Sequence, residues 1–176
     1  NLTYYMNPNR AQLFFADTVV LVEGETEKIM FQKWAAYFFP EEVAKRFTTT
    51  YVDCGGKFNM QLYQEMLNGY QIPYVVIIDD DAGSEDPHMQ SLNYHIQQTA
   101  DVGKGHCITL NGDFEHEFGI TGHERDRHGK KKFKPYQAFQ KYFTMDQQPK
   151  VEALEALRDH PTLNRIFLSI YQRNLK

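Results

Sequence analysis

Four apolar residues run directly into an acidic turn at residues 19–27, Val19-Val20-Leu21-Val22-Glu23-Gly24-Glu25-Thr26-Glu27. A second apolar run ends in acids at residues 75–81, Val75-Val76-Ile77-Ile78-Asp79-Asp80-Asp81. Runs of this kind, rich in β-branched residues, are typical of strands buried on both faces of a parallel sheet. Ligand sites in such sheets lie beyond the carboxyl ends of the strands, so the two sets of carboxylates are predicted to meet at one sheet edge.

The rest of the first 120 residues alternates predicted strands with predicted helices. Strands are predicted at residues 19–22, 48–52, 74–78 and 106–110, and amphipathic helical patterns lie between them. This alternation predicts an α/β fold in which helices cover both faces of a Rossmann-like parallel sheet. Acids also follow the fourth strand, namely Asp113, Glu115 and Glu117.

The character of the chain changes beyond residue 120. Residues 123–134 are strongly basic and predict an exposed loop, and residues 135–176 show the apolar spacing of three helices. We therefore expect a lead-in segment at 1–17, a core at 18–122, the basic loop at 123–134 and a C-terminal helical appendage at 135–176.

Composition limits the classes of function. The chain has 176 residues, 41% of them hydrophobic, and this is enough for one globular domain with a core. Its formal charge of −4 argues against binding a polyanion through overall charge, so any nucleic-acid contact is expected to be local or assisted by metal ions. No signal peptide or membrane span is predicted. Cys54 and Cys107 are interpreted as reduced core thiols, which predicts a cytoplasmic protein.

The acids that follow the strands indicate a metal site. Several ionised carboxylates close together are tolerated when a cation compensates them, and hard oxygen ligands suit Mg²⁺ or Mn²⁺ better than zinc. Acids after strands also serve as helix N-caps and first-turn residues, and this alternative applies to any one of them. The triplet Asp79-Asp80-Asp81 exceeds what capping requires. The spacing of His116, His123 and His128 matches no zinc motif.

Two of these motifs carry a family resemblance. The turn from Glu23 to Glu27 resembles the EGxxE motif of the Toprim domain, and the Asp79 to Asp81 triplet resembles its DxD motif. Together with the lead-in residues 13–17, the first motif is most similar to the OLD (overcoming lysogenization defect) nucleases, over roughly residues 10–140. OLD proteins carry an ATPase domain ahead of the Toprim domain. The resemblance therefore implies an isolated C-terminal nuclease region with an N-terminal ATPase domain as its partner.

The resemblance implies a site with two divalent cations, Mg²⁺ or Mn²⁺, with Ca²⁺ as a non-productive or supporting ion. The implied metal ligands are Glu23, Glu27, Asp79, Asp81, Asp113 and Glu115, and Glu117 competes with the last pair. Glu23 is expected to act as a ligand or as a general base. The family also places a catalytic lysine downstream, for which Lys134 is our first choice and Lys132 the second.

The implied activity is metal-dependent hydrolysis of DNA phosphodiester bonds. Five residues of the basic loop are expected to contact DNA phosphates without reading bases, namely Arg125, Arg127, Lys130, Lys131 and Lys132. The resemblance also allows a homodimer formed through the full-length protein.

Two alternatives come from other classes of protein. The chain could be a non-catalytic Toprim module that binds DNA or proteins, although all of the motif acids are present. It could also be a Mg²⁺-binding receiver or phosphatase-type domain, which would carry two acids after the first strand and one acceptor aspartate after the third. Here the spaced glutamates follow the first strand and the triplet follows the third.

Overall fold

The fold is an α/β sheet, as the sequence predicts. A computed structural model describes residues 12–45, 49–81, 86–120 and 134–172. Four parallel strands form one sheet in the order β2-β1-β3-β4, with bounds β1 Thr18–Val22, β2 Thr49–Asp53, β3 Tyr74–Ile78 and β4 Gly105–Thr109. The described helices are α1 Glu25–Phe38, α2 Pro40–Lys45, α3 Lys57–Gly69, α4 Pro87–Asp101, α5 Phe114–Glu117, α6 Lys134–Tyr142, α7 Val151–Glu155 and α8 Pro161–Tyr171, and a short 3-10 helix covers Gln12–Phe15.

The strand order fixes where a site can form. The chain leaves β1 to form β2 on one side, and β3 pairs with β1 on the other side. The turns after β1 and β3 therefore lie side by side. They lead into different helices, α1 after β1 and α4 after β3. In open parallel sheets, ligands bind in the crevice created by such a switch in strand order. Here that crevice lies between the carboxyl ends of β1 and β3.

Both faces of the sheet are buried, and this explains the continuous apolar runs. In β1, Val20 and Val22 face one hydrophobic cluster, while Val19 and Leu21 face another. The first cluster includes α1 and the C-terminal helices, and the second includes α3 and α4. Fully burying a side chain of this size contributes about 1.5–3 kcal/mol. The two-sided burial therefore stabilises the central strands strongly.

The aromatic residues on the apolar face of α1 are core residues. Trp34 is fully buried and contacts the rings of Phe31, Phe114, Phe118 and Tyr142, with centroids 4.8–5.8 Å away. Edge-to-face and offset pairs of this kind add about 0.5–1.5 kcal/mol each beyond the buried area. Trp34 is therefore a packing residue that joins α1 to α5 and to α6.

The C-terminal helices hold the segment that follows β4. The hydroxyl of Tyr142 and the ammonium of Lys141 donate to the carbonyl of Phe118, at 3.0 and 2.6 Å. From α8, Arg165 donates to the carbonyl of Thr109 at 3.1 Å. The helices at 134–171 thus share a core with the sheet and brace the turn that carries the third acidic set.

Replacing Tyr142 tests this bracing. We expect Tyr142→Phe to lower the free energy of unfolding by about 1 kcal/mol, because the variant loses one buried hydrogen bond while Lys141 still donates to the same carbonyl. Urea unfolding followed by circular dichroism measures the change. Tyr136→Phe is the matched control, since Tyr136 lies on the same helix and is exposed. Equal losses in the two variants would show that the Tyr142 bond contributes nothing.

The structure also bears on the two cysteines and on membrane-spanning helices. Within the described residues, Cys54 and Cys107 form no disulfide, and the first is buried while the second is partly buried. Cys54 lies one residue beyond β2 and not inside the strand, although its N–H still donates to the carbonyl of Val22 at 3.0 Å. Among the described residues, no helix has the length and apolar character needed to cross a membrane.

Candidate active site at the carboxyl edge of the sheet

The motif acids after β1 and β3 are in direct contact. The main-chain N–H of Asp79 donates to Oε1 of Glu23 at 2.9 Å, across 56 residues of sequence. The contact forms because β1 and β3 are neighbours in the sheet and each acid is the first residue after its strand. The crevice at the switch in strand order therefore contains carboxylates from both motifs.

Glu27 joins these acids from the first turn of α1. A Cβ atom at Gly24 would lie 3.2 Å from Oε2 of Glu27, closer than most such contacts allow. The glycine between the glutamates therefore gives the Glu27 carboxylate room to fold back over the turn. The first turn of a helix also favours negative charge, so the fold supports an acid at this position.

Three other acids act on the carboxyl group of Asp79. The pKa of Asp79 is raised to about 8, first because the carboxyl is buried and then because of the negative charges of Glu23, Glu27 and Asp113. These residues follow three different strands, β1, β3 and β4. Burial next to like charges disfavours ionisation, so the site holds more negative charge than it can stabilise alone.

Lys57 supplies the compensating charge, and the sequence interpretation missed it. Its ammonium donates to the carbonyl of Asp79 at 2.7 Å and to a carboxylate oxygen of Asp81, and it lies 3.3 Å from Oε1 of Glu23. The residue is only 3% exposed. The family resemblance points instead to a lysine downstream, Lys134 or Lys132.

Two signals in the sequence could have identified Lys57. It follows Gly55-Gly56, directly after a strand whose carboxyl end lies on the acidic edge, and Gly56 has φ +107° and donates to the carbonyl of Glu23 at 2.8 Å. Lys57 is also the first residue of α3, where the helix dipole disfavours a cation. A lysine placed there requires another source of stabilisation, and the acids of the neighbouring strands provide it.

The pKa of Glu23 depends on its burial and on the same neighbouring groups. Burial raises the pKa of Glu23, while the N–H of Asp79 and the charge of Lys57 lower it and the charge of Asp81 raises it. The net direction is upward. Glu23 is therefore a stronger base than an exposed glutamate.

Asn93 of α4 also holds the aspartate turn. Its side-chain amide donates to the carbonyls of Asp79 and Asp80, at 3.0 Å each. Asp81 has a positive φ of 52°, a conformation that aspartate adopts more readily than most residues. The turn after β3 is thus fixed by side chains from α3 and α4.

The acids after β4 occupy different environments. Asp113 contributes to the negative charge around Asp79, and it also caps α5 by accepting from the N–H of His116 at 2.8 Å. The capping alternative therefore describes part of its role. Glu115 is buried, at 4% exposure. Glu117 accepts from the N–H of Asn111 at 2.5 Å and lies 3.7 Å from Nε2 of His160, which indicates a structural role for this competing acid.

The expected basic residues fall mostly outside the described chain. Arg125, Arg127, Lys130, Lys131 and Lys132 lie in residues 121–133, which are not among the described residues, as do His123 and His128. Lys134 is the first residue of α6, and this is all that the structure describes of it.

The donor set fits divalent cations by its chemistry. It consists of carboxylate and carbonyl oxygens, which suit Mg²⁺ or Mn²⁺, and the mutual repulsion around Asp79 is what a cation would relieve. Over residues 12–45, 49–81, 86–120 and 134–172, however, no three Asp, Glu, His or Cys side chains are grouped closely enough to hold a metal ion. The Lys57 ammonium instead lies between Glu23 and Asp81. Cation binding would therefore require these side chains to adjust.

Comparison with known proteins identifies the region that contains the motifs. Residues 14–81 match the family model described as "Overcoming lysogenization defect protein-like, TOPRIM domain". The match covers β1 to β3 and both acidic motifs. A search of curated proteins found no significant match.

Proposed function

We propose, from the premise that residues 14–81 are the Toprim domain of an OLD-like protein, that this chain is a metal-dependent endonuclease that hydrolyses DNA phosphodiester bonds. Toprim domains are metal-binding modules of the nuclease and primase type. The observation that supports the nuclease most directly is the contact between Glu23 and Asp79, at the centre of an acid set whose charges raise the pKa of Asp79 to about 8.

The proposed cation ligands are Glu23, Glu27, Asp79, Asp81, Asp113 and Glu115. Two divalent cations, Mg²⁺ or Mn²⁺, would supply activation of the attacking water and neutralisation of charge at the scissile phosphate. Glu115 is buried, so its carboxylate would need to become exposed before it could bind a cation. Asp113 already faces Asp79 while it caps α5.

Among the side chains of the protein, Glu23 is the one proposed to accept a proton. Its Oε1 atom is held by the N–H of Asp79 and faces the Lys57 ammonium at 3.3 Å. The raised pKa of Glu23 makes the carboxylate a stronger proton acceptor, and the bond from Asp79 fixes its orientation. Glu23 is therefore proposed as a cation ligand or as the general base for water.

The remaining parts of the proposal concern DNA and partners. Arg125, Arg127, Lys130, Lys131 and Lys132 are proposed to contact phosphates, with Lys134 or Lys132 stabilising charge in the transition state. In the full-length protein, an ATPase domain would precede this region, and a homodimer would form through the whole protein. A cytoplasmic location is proposed as well, because Cys54 and Cys107 are thiols and not a disulfide pair.

A plasmid-nicking assay tests the proposal. Wild-type protein is expected to convert supercoiled DNA to nicked or linear forms with Mg²⁺ or Mn²⁺, and Glu27→Ala is expected to cut at least about tenfold more slowly. Glu25→Ala is the matched control, because Glu25 lies in the same helical turn but is exposed. If wild-type protein shows no cation-dependent cutting, the nuclease proposal is wrong.

One observation favours a second candidate, a non-catalytic Toprim module that binds DNA or a partner protein. The Lys57 ammonium already neutralises part of the acid set without any cation. This candidate predicts DNA binding that is the same in EDTA and in Mg²⁺, with no cleavage in either. Gel-shift measurements beside the nicking assay distinguish the two functions.

A further inference from the structure

The Lys57 ammonium is surrounded by oxygen atoms of the protein, with two hydrogen bonds and one further ion pair. An ammonium group has three N–H donors and no acceptor. Around Lys57 there are three oxygen acceptors, namely the carbonyl of Asp79, a carboxylate oxygen of Asp81 and Oε1 of Glu23. With 3% exposure, the side chain has little contact with solvent. Lys57 is therefore placed to organise the acids and not to touch a substrate.

In each of the carboxylates of Glu23 and Asp81, one oxygen atom contacts Lys57. Lys57 takes one oxygen of Asp81 and approaches one oxygen of Glu23, and the same Glu23 oxygen accepts from the N–H of Asp79. The second carboxylate oxygens of Glu23 and Asp81 are not used in these contacts. A single lysine on the turn after β2 thus sets the orientation of acids that follow β1 and β3.

We propose that Lys57 is a positioning residue that orients Glu23 and Asp81 and, by its fixed positive charge, lowers the affinity of the acidic edge for divalent cations. The inference rests on the proposed function for the role of the cations. It extends that function because the Lys57 ammonium is itself a cation. This ammonium competes with dissolved divalent metal ions for the same carboxylates.

Removing Lys57 has two opposite effects on cation binding. Loss of the bond to Asp81 loosens a turn whose residue 81 has a positive φ, and this weakens binding. Loss of the positive charge removes the repulsion between the ammonium and a divalent ion at the same carboxylates, and this strengthens binding. At such short range and with little solvent, charge repulsion exceeds the contribution of one hydrogen bond several-fold. Tighter binding is therefore the expected net result.

Titration calorimetry with Mn²⁺ on the whole chain tests the proposal. The Mn²⁺ dissociation constant is expected to fall at least about tenfold in Lys57→Met and to stay within about threefold of wild type in Lys57→Arg, which keeps the charge. If Lys57→Met does not fold, Lys57→Gln is measured in its place, because it removes the charge and retains two N–H donors. The nicking rate should fall in the same variant that binds Mn²⁺ more tightly, and a purely structural lysine would not produce this combination.

Lys150→Met is the control. Lys150 is an exposed lysine whose ammonium donates to the carbonyl of Gln140 within the C-terminal helices, so its loss removes one positive charge without touching the acids or the segments that carry them. Its Mn²⁺ affinity should equal that of wild type. Unchanged or weaker Mn²⁺ binding in a folded Lys57→Met or Lys57→Gln variant overturns the proposal and leaves the nuclease proposal standing. If wild-type protein binds no Mn²⁺, both proposals are wrong.

Discussion

Asp79→Ala is expected to reduce Mg²⁺-dependent DNA cleavage by roughly 10²–10³-fold, the scale for removing one preorganised electrostatic group from an active site. Asp79 is the acid on which the charges of Glu23, Glu27 and Asp113 converge. In the proposed function, its carboxylate would therefore be the one best placed to share a cation with acids from both other turns. The rate of plasmid nicking under saturating Mg²⁺ measures the effect.

The fold should survive this substitution. Asp79 lies beyond the end of β3, and the bonds that hold its turn use the main chain, namely its N–H to Glu23 and its carbonyl to Lys57 and Asn93. Asp80→Asn is the matched control from the same triplet, and it should cut within about threefold of wild type. A wild-type rate in Asp79→Ala, or a rate lost equally in Asp80→Asn, would remove Asp79 from the catalytic set.

Without divalent cations, the protein is expected to become less stable as the pH rises from about 4 to about 8. The pKa of Asp79 is raised from 3.8 to about 8 in the folded state, so the folded protein binds more protons than the unfolded chain in this window. Stability then falls with rising pH, and the loss of stability is complete above about pH 8. Glu23, whose pKa is also raised, adds to the effect in the same direction.

The expected size of this effect is a few kcal/mol. The rise in the pKa of Asp79 corresponds to about 6 kcal/mol if solvent screens none of it, and we expect about half of that because the side chain is partly exposed. Chemical unfolding in EDTA at pH 5 and pH 8.5 measures it. Asp79→Asn, which cannot ionise, should weaken the dependence. Mn²⁺ in place of EDTA should raise the stability of the wild-type protein at pH 8.5. A flat profile for wild type in EDTA would show that the acids do not repel one another as described.

The secondary structure of the core follows directly from the sequence. The predicted bounds of β3 agree with the structure, and those of β4 differ by one residue. Continuous apolar runs such as Val75 to Ile78 identify strands because both faces of each strand need apolar partners, and this requirement is local to the run. The strand-end positions of the motif acids were predictable for the same reason.

The partners of those acids were less accessible to sequence reasoning. The pairing of β1 with β3 was not predicted, and it is this pairing that brings Glu23 to Asp79. The contacts of Glu117 with His160 depend on how α5 lies against the start of α8, and the burial of Glu115 is likewise not visible in the sequence pattern. The period of a sequence pattern gives the face of a helix but not which neighbour covers that face.

By itself, then, the sequence determined a parallel α/β sheet with glutamates and aspartates at the ends of its strands, because apolar runs and the residues that end them are local features. Only the tertiary structure decided that Lys57 is the cation among these acids. The two glycines and the helix start mark Lys57 as an unusual lysine, but they do not reveal its partners. Its three oxygen partners come from turns 22 to 34 residues away in the chain, brought together by the order of the strands.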